Sequence, residues 1–223
     1  MQFIFHKNSG EENIFLENKD FHYIFNVRRE SKDIGAIFKF ANLKDNTIYQ
    51  YKLINLFKNK ASFSLLDSTK NTQIPIKTHI IQAIIDNNEF EKILPILNEL
   101  FVEKISLFYA DFSQRKYKIN IERLQNILIN SSMQCGRISL MKIEIFNNLD
   151  SILENYSNII ALDFNAKLKN IDSINSFIIG PEGGFSKREK ELLKECSCSI
   201  NHPLIMRSHT ASIFIASHKI KFN

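Results

Sequence analysis

Residues 177–189, Phe-Ile-Ile-Gly-Pro-Glu-Gly-Gly-Phe-Ser-Lys-Arg-Glu, constrain the fold of this chain more than any other stretch. Phe177, Ile178 and Ile179 form a short apolar run of strand type. It stops at Gly180-Pro181-Glu182-Gly183-Gly184, because proline has no N–H for a sheet ladder and glycine tolerates positive φ. Ser186-Lys187-Arg188-Glu189 has the spacing of a capping box, so a polar helix is predicted to start there. A strand, a tight loop and a helix start in direct succession are the repeating unit of α/β sheets. Such sheets bind ligands beside the carboxyl ends of their strands. Gly180, Gly183 and Gly184 would let a ligand approach the main chain closely, and a purely structural strand-to-helix turn fits the same residues.

The preceding hundred residues follow the same alternation. Thr78 to Ile85 forms an apolar run suited to a strand buried on both faces. Phe90, Ile93, Leu94, Leu97 and Phe101 follow helical spacing, with Pro95 expected to kink that helix. Strands are predicted at Ile105–Tyr109, Met141–Phe146 and Ile159–Phe164, and a helix through Ile121, Leu124 and Leu128. Alternating strands and helices imply a parallel sheet covered on both faces.

Residues 1–67 differ. Short strands are predicted at Met1–Phe5, Gly35–Ala41, Thr47–Ile54 and around Ala61, Phe63 and Leu65, with a turn at Lys44-Asp45-Asn46. Asn18 is a candidate cap for a helix burying Phe21, Ile24 and Phe25. So many short strands in a small unit imply a barrel-like sheet. Ser68 to Pro75 is polar and strand-breaking, a predicted linker. The expected domains are therefore 1–70 and 71–223.

The chain has 223 residues, and its 44% hydrophobic content supports a packed core over disorder. A net charge of +5 is compatible with a polyanionic partner. No apolar run approaches the roughly 20 residues of a membrane span, and the N-terminus lacks a signal-peptide pattern. With three cysteines, Cys135, Cys196 and Cys198, a reducing compartment is expected and a disulfide framework is not. Cytoplasmic location without membrane association follows as the expectation. Cys196, Cys198 and His202 form at most a partial metal site, since a fourth ligand is missing; no metal is expected.

A second stretch, Leu204-Ile205-Met206-Arg207-Ser208-His209-Thr210-Ala211, joins the first in a recognisable pair. Ile-Gly-Pro-Glu-Gly-Gly together with a terminal Leu-x-x-Arg-Ser-x-Thr-Ala resembles the knotted methyltransferases of the SPOUT class. The resemblance is nearest to the uridine N3-methyltransferases of small-subunit (16S) ribosomal RNA. Met133-Gln134-Cys135-Gly136-Arg137 is similar to that family's Glu-Gln-Ser/Cys-Gly-Arg. Glu99-Leu100-Phe101-Val102 is similar to its Glu-Leu-Gly-Val, and His22 with Arg28 to its His…Val-Leu-Arg. Departures stand at Asp86-Asn87-Asn88, Ile96, Phe101, Met133 and His209, where the family has Lys-Gly-Asp, Lys, Gly, Glu and Glu.

The resemblance implies a PUA-like β-barrel that binds RNA, followed by a trefoil-knot α/β domain that binds S-adenosylmethionine and forms a homodimer. The cofactor would lie against Leu162, Ile179, Gly180, Pro181, Glu182, Gly183, Gly184, Leu204, Met206, Arg207, Ser208, Thr210 and Ala211. Arg207 would stabilise negative charge on the uracil, with Arg137 near the cleft. His209 is a candidate proton acceptor, and equally a packing residue. His22, Arg28, Arg29 and Lys32 are candidate phosphate contacts. The departures remove positive charge from presumed RNA-facing loops. Two other functions fit: ribose 2′-O-methylation of transfer or ribosomal RNA, or a non-catalytic RNA-binding role in ribosome assembly.

Overall fold

The computed structural model describes residues 2–72, 76–113, 118–169, 171, 173–200 and 202–219. The chain packs as two units, Met1–Ile74 with Ile129–Leu140, and Pro75–Leu128 with Met141–Asn223.

The first unit is a curled, half-barrel sheet. Its strands are β1 (Ile4–Phe5), β2 (Asn13–Glu17), β3 (Ile37–Ala41), β4 (Thr47–Phe57) and β5 (Lys60–Lys70), in the order β1-β3-β4-β5-β2. All pairings are antiparallel except β1 with β3. Alternate residues point inward, so Phe38, Phe40, Tyr51 and Phe63 meet edge to face, with Phe40 and Phe63 centroids 5.2 Å apart. Helix α1 (Asn18–His22) runs into a π-helical turn, Tyr23–Val27, and buries Phe21, Ile24 and Phe25 in the same core.

Three expectations need correction here. Strand β2 was not anticipated, although Ile14 and Leu16 alternate with exposed neighbours as a half-buried strand requires. Ser68–Lys70 continue β5 instead of opening a linker, since Thr47 pairs with Lys70 and Ile48 with Thr69; residues 73–75 of that predicted linker lie outside the described residues. The cap position of α1 is Glu17, and Asn18 sits at φ 49, a conformation that asparagine tolerates better than most residues.

Residues 129–140 also belong to this unit. Met133 is buried with Phe3, Ala41, Leu43 and Ile138, and its sulfur accepts the Phe5 N–H at 3.2 Å. This departure from the family motif is thus a core residue.

The second unit is a six-stranded parallel sheet in the order β11-β9-β10-β6-β7-β8. The strands are β6 (Ile76–Ala83), β7 (Val102–Phe108), β8 (Lys142–Phe146), β9 (Ile159–Leu162), β10 (Ser176–Ile179) and β11 (Ser197–Cys198). Between them lie α2 (Asn87–Glu99), α3 (Ile121–Cys135), α4 (Leu149–Asn155), α5 (Lys187–Leu193) and α6 (Ser208–His218). Helix α2 continues through Pro95. Asp86 caps it, accepting from the Asn88 and Glu89 N–H groups. Phe101 holds φ 61, which explains a glycine at this position in the family motif. Ile81, Ala161 and Ile178 face α4 and α5. Chain order along the sheet reverses between β6 and β10, which makes their carboxyl ends the switch point where open sheets bind ligands.

The apolar run predicted over β6 contains three buried polar side chains, Thr78, His79 and Gln82. Ser106 donates to the Glu144 carboxylate at 2.8 Å, so its oxygen must accept from His79 Nε2 at 2.8 Å. His79 Nδ1 then accepts from the Ser176 hydroxyl at 3.2 Å. Burial, helped by the charge of Lys104, pushes the His79 pKa down to about 4 from 6.5. Between those values the unfolded chain binds a proton that the folded chain does not. Stability therefore falls as the pH drops from 6.5 towards 4, by up to about 3 kcal/mol. Denaturant midpoints measured across this range should decline for the wild type, and His79→Gln should flatten the slope.

The predicted capping box at Ser186 is present, and tertiary structure enlarges it. Glu189 is buried; one oxygen accepts the Ser186 N–H at 2.9 Å and the other the Asp111 N–H at 3.0 Å. Glu189 thus ties α5 to the turn after β7. Glu189→Ala leaves two N–H groups without their acceptor and is expected to destabilise the fold by about 2–3 kcal/mol, measurable as a lowered urea midpoint.

Candidate active site

The loops after β9, β10 and β11 converge on one pocket of about 390 Å³. The first contributes Leu162 to Asn165, the second Ile179 to Glu182 with Gly184 and Phe185, and the third Leu204 to Ser208. Ala211 of α6 and Lys190 of α5 complete the lining, with Ile200 and His202. The volume lies within the roughly 300–1,000 Å³ usual for small-molecule sites.

Local chemistry sets each wall. The Gly184 N–H donates to the Pro181 carbonyl at 2.9 Å, closing a four-residue turn. Of the loop glycines, Gly184 alone has positive φ, at 71. Gly180 serves by its size: an added Cβ would sit 3.1 Å from the Phe185 ring. The third loop ends at Arg207, whose extended backbone (φ −63, ψ 155) caps α6. The first turn of α6 thus directs N–H groups and a partial positive charge at the pocket. Ser208 donates from its hydroxyl to the Gly180 carbonyl at 2.5 Å, joining the third loop to the second.

Most of the expected cofactor residues meet here: Leu162, Ile179, Gly180, Pro181, Glu182, Gly184, Leu204, Met206, Arg207, Ser208 and Ala211 all line the pocket. Gly183 and Thr210 do not. A Cβ on Gly183 would meet Phe112 at 3.4 Å, an ordinary contact. His209 is not part of the lining; its Nδ1 lies 3.8 Å from the Glu89 carboxylate of α2. The apolar run at Leu204-Ile205 forms a loop whose side chains are largely exposed, 69% and 76%, at the pocket rim.

The remaining expected residues belong to the first unit. Arg137, expected near the cleft, is 3% exposed, and its Nε donates to the Ser139 carbonyl at 2.8 Å. His22 ends α1, and Arg28, Arg29 and Lys32 lie in the segment after the π-helical turn. Arg28 Nε donates to the Tyr23 hydroxyl at 2.8 Å. Asn26 contacts both His22 (3.1 Å) and Lys32 (3.4 Å).

Sequence reasoning missed Asp163, Phe164, Asn165, Phe185, Lys190, Ile200, His202 and Ile205 as lining residues. Asp163 and Phe164 were assigned to a strand predicted to run to Phe164, whereas β9 ends at Leu162; Asn165 lay directly after that predicted strand, and Lys190 and His202 carried no local signal. Among the described residues, no group of His, Cys, Asp or Glu side chains is arranged to hold a metal ion. Nor is any helix there long and apolar enough to cross a membrane. Burial raises the Cys196 pKa, which disfavours the thiolate a metal would need.

A family model described as an RNA methyltransferase domain matches residues 72–219. The chain belongs to this RNA methyltransferase family. More particularly, it is 38% identical over 224 residues to the Ribosomal RNA small subunit methyltransferase E of Helicobacter pylori, spanning 97% of this chain and 98% of that relative. Its counterpart of the same name from Aquifex aeolicus is 28% identical over 210 residues, spanning 89% and 90%. The fold matches a methyltransferase from Legionella pneumophila solved with the cofactor SAM bound, with a TM-score of 0.81, 24% identity and coverage of 98% and 97%. It likewise matches the Ribosomal RNA small subunit methyltransferase E of Neisseria gonorrhoeae, solved with S-adenosyl methionine, with a TM-score of 0.80, 19% identity and coverage of 98% and 96%.

Proposed function

We propose that this protein transfers a methyl group from S-adenosylmethionine to N3 of a uridine in the RNA of the small ribosomal subunit. The observation that carries the reading is the meeting of three post-strand loops in one pocket beside the switch point of a parallel sheet. The relatives' names supply the substrate class, and the cofactor in the Legionella and Neisseria structures supplies the donor.

The residues present suit that cofactor. Leu162, Ile179 and Met206 offer apolar surface for a purine, and the glycine-bearing turn offers main-chain groups for its polar edge. The α6 N-terminus and Lys190 suit a carboxylate, and Asp163 and Glu182 suit an amine and a positive sulfur centre. When bound, S-adenosylmethionine supplies an electrophilic methyl group that needs no further activation. The protein's work is to hold the acceptor in line with it. Uracil N3 carries a proton at neutral pH, and its loss leaves negative charge on the ring oxygens. Arg207 stands at the pocket edge with an exposed side chain and is placed to stabilise that charge. We assign His209 to the α2–α6 packing and Arg137 to holding the Gly136–Ser139 turn.

In the same reading, the half-barrel is a PUA-like domain that grips RNA backbone through His22, Arg28, Arg29 and Lys32. The last elements thread as a trefoil knot, two copies form a dimer, and the protein works in the cytoplasm.

The test is to incubate undermethylated small subunits with labelled S-adenosylmethionine and digest the RNA to nucleosides. Label in 3-methyluridine is the expected result. Label in a 2′-O-methyl nucleoside would identify the ribose enzyme instead. Absence of S-adenosylmethionine binding by calorimetry would favour the non-catalytic role.

A further inference from the structure

Gln82 stands near the carboxyl end of β6, fully buried and outside the pocket lining. Its side chain has a complete set of partners. Nε2 donates to the Ala83 carbonyl at 2.9 Å and to the Ser208 hydroxyl oxygen at 2.8 Å. Oε1 accepts from the Ser212 hydroxyl. The amide orientation follows from hydroxyl chemistry. Ser208 has one hydroxyl hydrogen, spent on the Gly180 carbonyl, so its oxygen has to accept, and Gln82 must present its nitrogen. A flipped amide would set its oxygen against the Ala83 carbonyl.

We infer that Gln82 is a positioning residue of the cofactor pocket, acting through Ser208 on the Gly180 carbonyl. The inference rests on the methyltransferase reading above. The chain Gln82 Nε2–H to Ser208 O–H to Gly180 C=O links three segments far apart in sequence: the central strand, the N-terminus of α6 and the glycine-bearing loop. Each bond polarises the next. Two of the three pocket walls are thereby fixed to the most buried part of the sheet. An apolar strand residue would fill the same space but give Ser208 no donor. The Ser208 rotamer, and with it the spacing between the α6 N-terminus and the Gly180 loop, would then be free to vary. Gln82 itself does not line the pocket.

The test is calorimetric binding of S-adenosylhomocysteine to wild type, Gln82→Leu, Ser208→Ala and the double variant, with unfolding midpoints of all four. Each single change should weaken binding roughly tenfold, the equivalent of one broken link. The double variant should bind no more weakly than the poorer single one, because both break the same chain. A purely structural role would instead lower the Gln82→Leu midpoint while its folded fraction kept wild-type affinity, and that result overturns the inference. Independent effects that multiply to about a hundredfold in the double variant also overturn it. Should Gln82→Leu fail to fold, unchanged affinity in Ser208→Ala does the same. Failure of the wild type to bind would overturn the methyltransferase reading, and this inference with it.

Discussion

Arg207→Ala is expected to reduce methyl transfer to RNA about a hundredfold or more while the protein folds and binds cofactor. Three observations support this. Arg207 lines the pocket, its side chain is exposed, and its backbone sits at the cap of α6. Removing an exposed side chain leaves the core intact, and alanine keeps the extended cap conformation. What is lost is a fixed positive charge beside the place where negative charge develops. Deleting one such stabilising group typically costs 10²–10³ in kcat. Single-turnover methylation separates the chemical step from cofactor affinity, and calorimetry checks the latter. A variant with normal turnover would remove the main catalytic assignment. Arg207→Lys should recover only part of the loss, because an ammonium cannot present two parallel donors to the uracil.

Gly180→Val is expected to abolish cofactor binding. The first added carbon would stand 3.1–3.2 Å from two atoms of the Phe185 ring. That ring is buried with Ile178 and Leu193 and borders the pocket, so it can yield only into the cofactor space. If the loop moves instead, it takes with it the carbonyl that holds Ser208. Overpacking of this kind costs about 1–3 kcal/mol of stability, and either displacement alters the pocket wall. Calorimetry with S-adenosylhomocysteine should give no binding heat at concentrations that saturate the wild type. Gly183→Ala provides the contrast. Its added carbon would meet Phe112 at an ordinary distance, and Phe112 is 57% exposed and can yield. A change in affinity of roughly twofold is expected there.

These two glycines mark what local sequence signals can and cannot deliver. The strand–loop–helix unit at 177–189 was readable because each of its signals is local. The apolar run, the proline and the Ser186–Glu189 box act within a few residues of one another. Which glycine mattered was not readable. The answer lies in Phe185 for Gly180, in the backbone for Gly184, and in Phe112, more than seventy residues earlier in the chain, for Gly183. The 204–211 stretch was recognisable by resemblance, but its side chains divide. Arg207 and Ser208 face the pocket, whereas His209 faces Glu89 on α2. A single residue step, about 100° of helix rotation, separates Ser208 from His209, and only packing against α2 decides their roles.

Buried polar residues were the least legible. His79 and Gln82 sit among apolar neighbours in a buried strand, and composition alone treats them as noise in that run. Their partners, Ser106, Ser176, Ser208 and Ser212, arrive from strands and helices distant in the chain. The same holds for Met133, which by sequence was a lost charge and in the fold is a core side chain.

By itself the sequence determined the alternation from β6 to β10, without α4 or β11, the helix start at Ser186 and the glycine-bearing turn before it. Each of these depends on backbone preferences and side-chain periodicity that operate over a few residues. Tertiary structure alone decided that the ends of β9, β10 and β11 share one pocket, and that residues 129–140 pack with the first unit. It also decided that a glutamine two strands' width from solvent holds two pocket walls together. Those outcomes depend on which distant groups remain to satisfy a buried donor or acceptor, and no local pattern encodes that.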